Sequence, residues 1–244
     1  MLTAVLCLDV TLAADGFLGD PGLFAMNVQK RRKTMLLGFN GSPKPDSNLK
    51  RIIEMMLKES GKEYRIYDLA KMNIKPCIGC VKCAKNNRCV EKDDMYPLYD
   101  EIVKAEGIVV GAVVYFRKAN GFAHNFLERL FPLRHVNPQT MGKPAVAVAV
   151  GGDEAEVVSE EISYHLESYF NFNIVDKLFY NTMTPPCFIC GFGTTCQYGG
   201  PARWMSPEEF EQFTEVTPEM FQRFESDPKV VERVKAIGKR LGDL

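Results

Sequence analysis

Half of the chain's eight cysteines crowd into the stretch "CIGCVKCAKNNRC", where Cys77, Cys80, Cys83 and Cys89 follow the pattern C-x2-C-x2-C-x5-C. Thiolates are soft ligands suited to iron and zinc. Three of them at this pitch let a short loop present sulfur to several corners of a compact iron–sulfur core, and Pro76 stiffens its entry. Structural zinc usually takes two C-x2-C knuckles set farther apart. In two-cluster ferredoxins the last cysteine of a similar run serves the other cluster, so spacing alone leaves the role of Cys89 open. Zinc and free or disulfide-forming thiols remain the competing readings of the group.

A second group, Cys187, Cys190 and Cys196 in "PPCFICGFGTTCQYGG", has the spacing C-x2-C-x5-C. It reads as a metal loop short of one ligand, which Cys7, a histidine, a partner subunit or an exogenous molecule can supply. It reads equally as a glycine-rich loop whose thiols are small buried hydrophobes, with a redox disulfide behind both.

The stretch "GSPKPDSNL", residues 41–49, can do a different chemistry. A Gly-Ser turn feeding a helix N-terminus offers unpaired N–H groups, hydroxyls and the positive end of the helix dipole, a setting for a phosphate monoester. Ser42, Ser47 and Asn48 are the expected donors and Lys44 the charge. The loop is neither G-x-G-x-x-G nor a Walker loop, so a dinucleotide or a nucleoside triphosphate is not its natural ligand. The competing reading is a plain polar turn. Farther on, "VVYFRKANGFAHNFLERL" (113–130) leaves an apolar run for a helical one, and Gly151 and Gly152 of "GGDE" allow backbone to approach a flat ring.

No catalytic side chain is assigned. His124, His135 and His165 lack a partner in the sequence and read as surface or packing residues. Asp93 and Asp94 resemble a helix-start cap. Trp204 and the phenylalanines of 210–224 read as packing, including across a subunit interface.

Apolar runs at 35–40, 63–69, 107–115, 143–150 and 173–180 alternate with helical periods, predicting strands joined by crossover helices. Ser47 is the expected N-cap of a helix burying Leu49, Ile52, Ile53, Met56 and Leu57. A helix with Val158, Ile162, Leu166 and Tyr169 follows the fourth strand, and a last one opens at Ser226 or Asp227 with Pro228 in its first turn. The expected fold is α/β, a flavodoxin-like, doubly wound, five-stranded parallel sheet of order 2-1-3-4-5. Ligands then bind beyond the carboxyl ends of the first and third strands, where the strand order reverses. The second and fifth strands are opposite edges, about 19 Å apart, so the two cysteine groups do not meet in one subunit.

Through "GSPKPDSNL", the first cysteine group, "VVYF" to "FLERL" and "AVGG", the chain resembles the iron-sulfur flavoprotein branch of the NAD(P)H-dependent FMN reductase and flavodoxin-like superfamily, over about residues 35–180. The resemblance implies FMN, with its phosphate on Ser42, Lys44, Ser47, Asn48 and Leu49. It places the isoalloxazine against Tyr115, Phe116, Arg117, Lys118, Gly151 and Gly152. It implies that Cys77, Cys80, Cys83 and Cys89 all ligate one 4Fe-4S cluster, that a ferredoxin-type protein donates electrons, and that the chain forms a homo-oligomer, dimer or tetramer. Two positions depart from the family pattern: Val113 stands where proline is usual, and Arg117 where glycine often stands.

Composition sets the remaining bounds. With 244 residues, 46% of them hydrophobic and 25% charged, the chain can bury a full core. Its 30 basic and 31 acidic residues form no basic stripe, which argues against nucleic-acid binding. No apolar run reaches the roughly 20 residues of a membrane span. The first residues lack the basic start and clean apolar run of a signal peptide, and cysteines grouped as ligands suit a reducing, cytoplasmic setting. The expected organisation is a disordered or loosely docked extension at 1–34, an FMN-binding domain at 35–183 with an inserted cluster loop at 76–92, and a second cysteine loop with C-terminal helices at 184–244. The expected function is that of a flavin and iron–sulfur redox enzyme or electron carrier. The alternatives are an NAD(P)H-dependent FMN or quinone reductase with structural metal, and a metal-sensing or scaffold module without turnover.

Overall fold

A computed structural model describes residues 35–182 and 184–244; the extension expected at 1–34, with Cys7, lies outside the described residues. The strands are β1 (Leu36–Asn40), β2 (Tyr64–Asp68), β3 (Gly107–Tyr115), β4 (Lys118–Ala119), β5 (Pro144–Gly151) and β6 (Asn173–Asn181). β1, β3 and β5 are apolar on both faces because helices cover the sheet on both sides, as a parallel sheet requires. The parallel strands lie in the order β2-β1-β3-β5-β6. Counting only those five, this is the expected flavodoxin-like order.

One correction concerns the strand number. The described sheet has six strands, because β4 folds back antiparallel on the end of β3, pairing Val114 with Ala119 and Tyr115 with Lys118. The two residues between them, Phe116 and Arg117, both take left-handed backbone, with φ of 52° and 65°. Positive φ at both central positions matches the right-handed twist of the flanking strands.

The helices are α1 (Asn48–Glu59), α2 (Met95–Lys104), α3 (Gly121–Arg129), α4 (Ala155–Tyr164), α5 (Gly200–Trp204), α6 (Pro207–Gln212) and α7 (Pro228–Gly242). α1 starts where Ser47 Oγ accepts from Lys50 N at 3.1 Å, and its buried stripe is the one the spacing predicts. α1 and α7 cover one face through Leu49, Ile53, Leu57, Val234 and Ile237, while α2, α3 and α4 cover the other through Leu98, Ile102, Phe126 and Val158. α7 opens at Asp227, whose carboxylate accepts from Lys229 N and Val230 N, with Pro228 in the first turn. Among the described residues no helix is long and apolar enough to cross a membrane.

Candidate functional site

The loop after β1 is held at its first residue. Gly41 N donates to Gly111 O at 2.9 Å, and a Cβ on Gly41 would stand 2.7 Å from that oxygen and 2.9 Å from Ala123 Cβ, so only glycine fits. Asn40 Oδ1 accepts from Ser42 N at 3.1 Å, and Ser42 Oγ accepts from Lys44 N at 3.3 Å. The buried Ser42 and Ser47 hydroxyls therefore accept within the loop and keep their O–H donors for a ligand. Lys44 is exposed at the loop's rim. The side chains of Asn48 and Leu49 are engaged elsewhere. Asn48 Nδ2 donates to Gln222 O at 2.9 Å and its Oδ1 accepts from Phe224 N at 3.1 Å, while Leu49 is fully buried. What these two can offer an anion is backbone N–H at the positive end of α1. Beside the loop, burial would raise the Asp68 carboxyl, but hydrogen bonds from Lys50, Asn40 and Lys71 outweigh it and lower the pKa to about 2.

Asn120 ties this loop to the end of β3, and sequence reasoning missed it. Its buried Nδ2 donates to Gly41 O at 2.7 Å while its Oδ1 accepts from Val113 N at 3.3 Å. The only sequence signal was an Asn-Gly pair ahead of a helical run. The β3–β4 turn carries Phe116 at its tip, 99% exposed. Arg117 does not fold over the turn. Its Nε meets Glu154 Oε1 at 2.7 Å, fastening the turn to the loop after β5. Gly151, the last residue of β5, leads into that loop, and a Cβ on it would stand 2.5 Å from Val114 Cγ2. Tyr115, Phe116, Arg117, Lys118, Gly151 and Gly152 thus come together on the carboxyl rim, and Asn120 links them to the Ser42 loop.

All four cysteines of the first group line one cavity of about 50 Å³, whose walls include Pro76, Val81, Arg129 and Pro132. Burial pushes the Cys83 thiol up, and the nearby sulfurs of Cys89, Cys77 and Cys80 push it further, as four thiols gathered around one space must. Among the described residues no three His, Cys, Asp or Glu converge on one point closely enough to grip a single ion. Four cysteine sulfurs around one space are a donor set that an iron–sulfur core takes, and an all-cysteine zinc site uses the same residue type, so the residues present fit either group.

Both stems of this loop are fixed by one buried side chain. Arg129 donates from Nη1 to Lys75 O at 2.5 Å and to Asp93 Oδ2 at 2.6 Å, and from Nη2 to Asp93 Oδ1 at 3.0 Å. Burial alone would raise the Asp93 carboxyl, but the hydrogen bonds from Arg129 and from Lys75 N hold it below the usual range. Asp93 and Asp94 do stand at the start of α2, yet Asp94 makes no side-chain cap and instead accepts from Asn73 N at 2.7 Å. Asn87, with a φ of 56°, closes the loop by donating to Pro132 O at 2.8 Å. Pro76 is shared with a second cleft of about 400 Å³, which Tyr115, Asn120 and Phe122 line from the other side. In its wall Asn125 Oδ1 is buried without a partner.

The second cysteine group follows β6, at the opposite edge of the sheet from β2. Cys187 Sγ accepts from Gly200 N at 3.2 Å and Cys190 Sγ from Phe192 N at 3.4 Å. Phe188 packs on Phe213 and Phe221, so part of the 210–224 aromatic run does pack within the chain, whereas Trp204 is exposed. Gln222 N donates to Thr184 Oγ1 at 2.9 Å, and Gln222 O is the acceptor for Asn48, so this segment reaches the Ser42 loop. His124 faces Glu128 and Glu161 at 3.7 Å, and His165 Nδ1 lies 2.8 Å from Glu161 O.

Comparison with known proteins finds relatives by sequence and by fold. An iron-sulfur flavoprotein of Methanocaldococcus jannaschii is 33% identical over 99 residues, 40% of this chain and 50% of that protein. Another from the same organism is 33% identical over 119 residues, 48% of this chain and 61% of that protein. The chain thus spans about half to three-fifths of the curated relatives it matches. The solved NAD(P)H:quinone oxidoreductase of Methanothermobacter marburgensis shares the fold, with a TM-score of 0.52 at 12% identity over 86% of this chain and 96% of the other. A family model described as NADPH-dependent FMN reductase matches residues 34–182, from before β1 through the end of β6, and the chain belongs to that family.

Proposed function

We propose that the chain is an FMN-dependent oxidoreductase that also carries a 4Fe-4S cluster, passing electrons between the two. The observation that carries this reading is the shared wall at Pro76, with four cysteine sulfurs around one cavity on one side and the Tyr115 cleft on the other. When bound, the flavin supplies two-electron chemistry and the cluster one-electron transfer. The chain's residues bind and orient. Ser42, Ser47, Lys44 and the N–H groups of Asn48 and Leu49 take the phosphate, the Tyr115–Lys118 turn and Gly151–Gly152 bracket the ring, and Cys77, Cys80, Cys83 and Cys89 ligate the cluster.

A ferredoxin-type donor fits the surface around the cysteine loop. Lys82, Lys85 and Lys92 surround it and form no ion pair with a described residue, while Ile78 and Val81 are exposed among them. Such a basic rim about an apolar centre suits an acidic protein partner. The exposed Phe116, Tyr164, Tyr198 and Trp204 supply surface for a homo-oligomer. The backbone N–H groups directed at Cys187 and Cys190 suit ligated thiolates and make this group the candidate for a further metal.

Iron, acid-labile sulfide, zinc and FMN measured per chain on anaerobically purified protein test the reading. About four irons with matching sulfide and one FMN support it, and about eight irons extend it to the second cysteine group. Zinc without sulfide would overturn it in favour of an NAD(P)H-dependent FMN or quinone reductase with structural metal, a second reading that the matched family's description favours. Rapid stoichiometric flavin reduction by NADPH would point the same way.

A further inference from the structure

Three charged residues line the cavity of the four cysteines, Glu91, Glu128 and Arg129, and only Arg129 is buried, its side chain 2% exposed. Its two terminal nitrogens are engaged with Asp93 and Lys75 O and the Tyr99 hydroxyl lies beside the guanidinium, but no hydrogen bond reaches its buried Nε. Asp93 is not part of the cavity wall. The ion pair therefore presents its cationic member to the sulfurs and keeps its anion behind.

A buried N–H is rarely left without an acceptor, because its lost hydration is not otherwise replaced. A cluster brings acceptors of one kind into this cavity, sulfide and thiolate sulfur. Resting on the cluster assignment above, we propose that Arg129 is a positioning and tuning residue for the cluster, donating its Nε–H to a cluster sulfur and making one-electron reduction easier. Reduction adds one negative charge to the cluster and leaves the guanidinium protonated. A fixed donor on a buried cation stabilises the reduced form more than the oxidised one, and hydrogen bonds to sulfur are an established lever on cluster potential. Lysine cannot take this place, since its ammonium lacks the planar fork that holds Asp93 while leaving a third N–H free.

The test compares wild type with Arg129→Lys, which keeps a cation for Asp93 but has no Nε–H. Iron and sulfide are assayed first, and the cluster's midpoint potential is then read by EPR-monitored redox titration alongside that of the flavin. The expected result is an intact cluster whose potential is lower in the variant, with the flavin potential unmoved. A variant with full cluster at the wild-type potential would overturn the proposal. Should the variant lose its cluster, wild-type protein labelled with 15N at arginine Nε decides: pulsed EPR of the reduced cluster should show coupling to that nitrogen, and its absence overturns the proposal. Wild-type protein without iron and sulfide would instead sink the cluster assignment itself, an outcome distinct from either of these.

Discussion

Asp93 and Arg129, 36 residues apart in sequence, form a buried bidentate pair with contacts of 2.6 and 3.0 Å, and through it the two ends of the cysteine loop are fixed to α3. Removing one partner strands a buried charge. Asp93→Ala should therefore cost roughly 3–5 kcal/mol of stability, as broken buried pairs do. Lys75→Ala should cost no more than about 1 kcal/mol, because Lys75 serves the pair through its backbone and its own bridge to Glu91 is exposed. Chemical denaturation of both variants checks the contrast, and equal effects would contradict it.

How much of this was legible in the sequence depends on the range of the interaction. The run from Gly107 to Tyr115 is apolar throughout and bounded by a turn, and β3 covers those residues. Ser47 announced α1 because capping is a matter of three residues. Asp93 read as a local cap, and it does accept from Met95 N at 3.1 Å at the start of α2. Its pair with Arg129 stayed hidden because that partner lies beyond α2, β3 and β4, and Asn120 was passed over because its acceptor, Gly41 O, is 79 residues distant. The β3–β4 turn was hidden for another reason: Phe116-Arg117 is not the Asn-Gly or Asp-Gly pair that signals such a turn. The four cysteines were legible as a unit because their spacing is itself the constraint. The segment 220–224 gave no sign that it would meet the Ser42 loop, a contact made by backbone groups of Gln222 and Phe224.

Gly41 and Asn120 should be as necessary to the phosphate loop as the serines. Gly41→Ala drives a methyl into Gly111 O, and Asn120→Ala leaves Gly41 O and Val113 N without their shared partner. Each change should cost roughly 1–3 kcal/mol. FMN affinity, followed by quenching of flavin fluorescence, should fall at least about tenfold in both variants, as a loss of about 1.4 kcal/mol implies. Ser42→Ala should weaken FMN with little change in stability. A variant of Asn120 that binds FMN normally would break the link between this residue and the loop.

The turn at Phe116 and Arg117 holds two side chains in backbone that disfavours them, and strain of this kind concentrates at functional sites. Replacing the pair by Asn-Gly relieves it, so Phe116→Asn with Arg117→Gly should raise stability by roughly 1 kcal/mol despite losing the exposed bridge to Glu154. FMN affinity should fall in the same variant, since under the proposed placement the ring loses an aromatic neighbour. Higher stability with unchanged FMN binding would mean that these side chains do not touch the flavin.

Acid stability should depend on Asp68. Its carboxyl falls from an ordinary 3.8 to about 2 in the folded chain, so the folded state holds the anion more tightly than the unfolded state does. A depressed carboxyl stabilises the fold above the unfolded value, and that contribution is lost as the pH falls from about 4 towards 2. Asp93, also lowered, acts in the same direction. Asp68→Asn cannot titrate at this position. Its deficit relative to wild type should be largest near neutral pH and shrink through that acidic window, because protonation strips wild type of the same bonds to Lys50 and Lys71. Urea denaturation of both proteins at a series of acidic pH values reads this directly. A deficit that stays constant down to about pH 2 would mean that the Asp68 contacts do not depend on its charge.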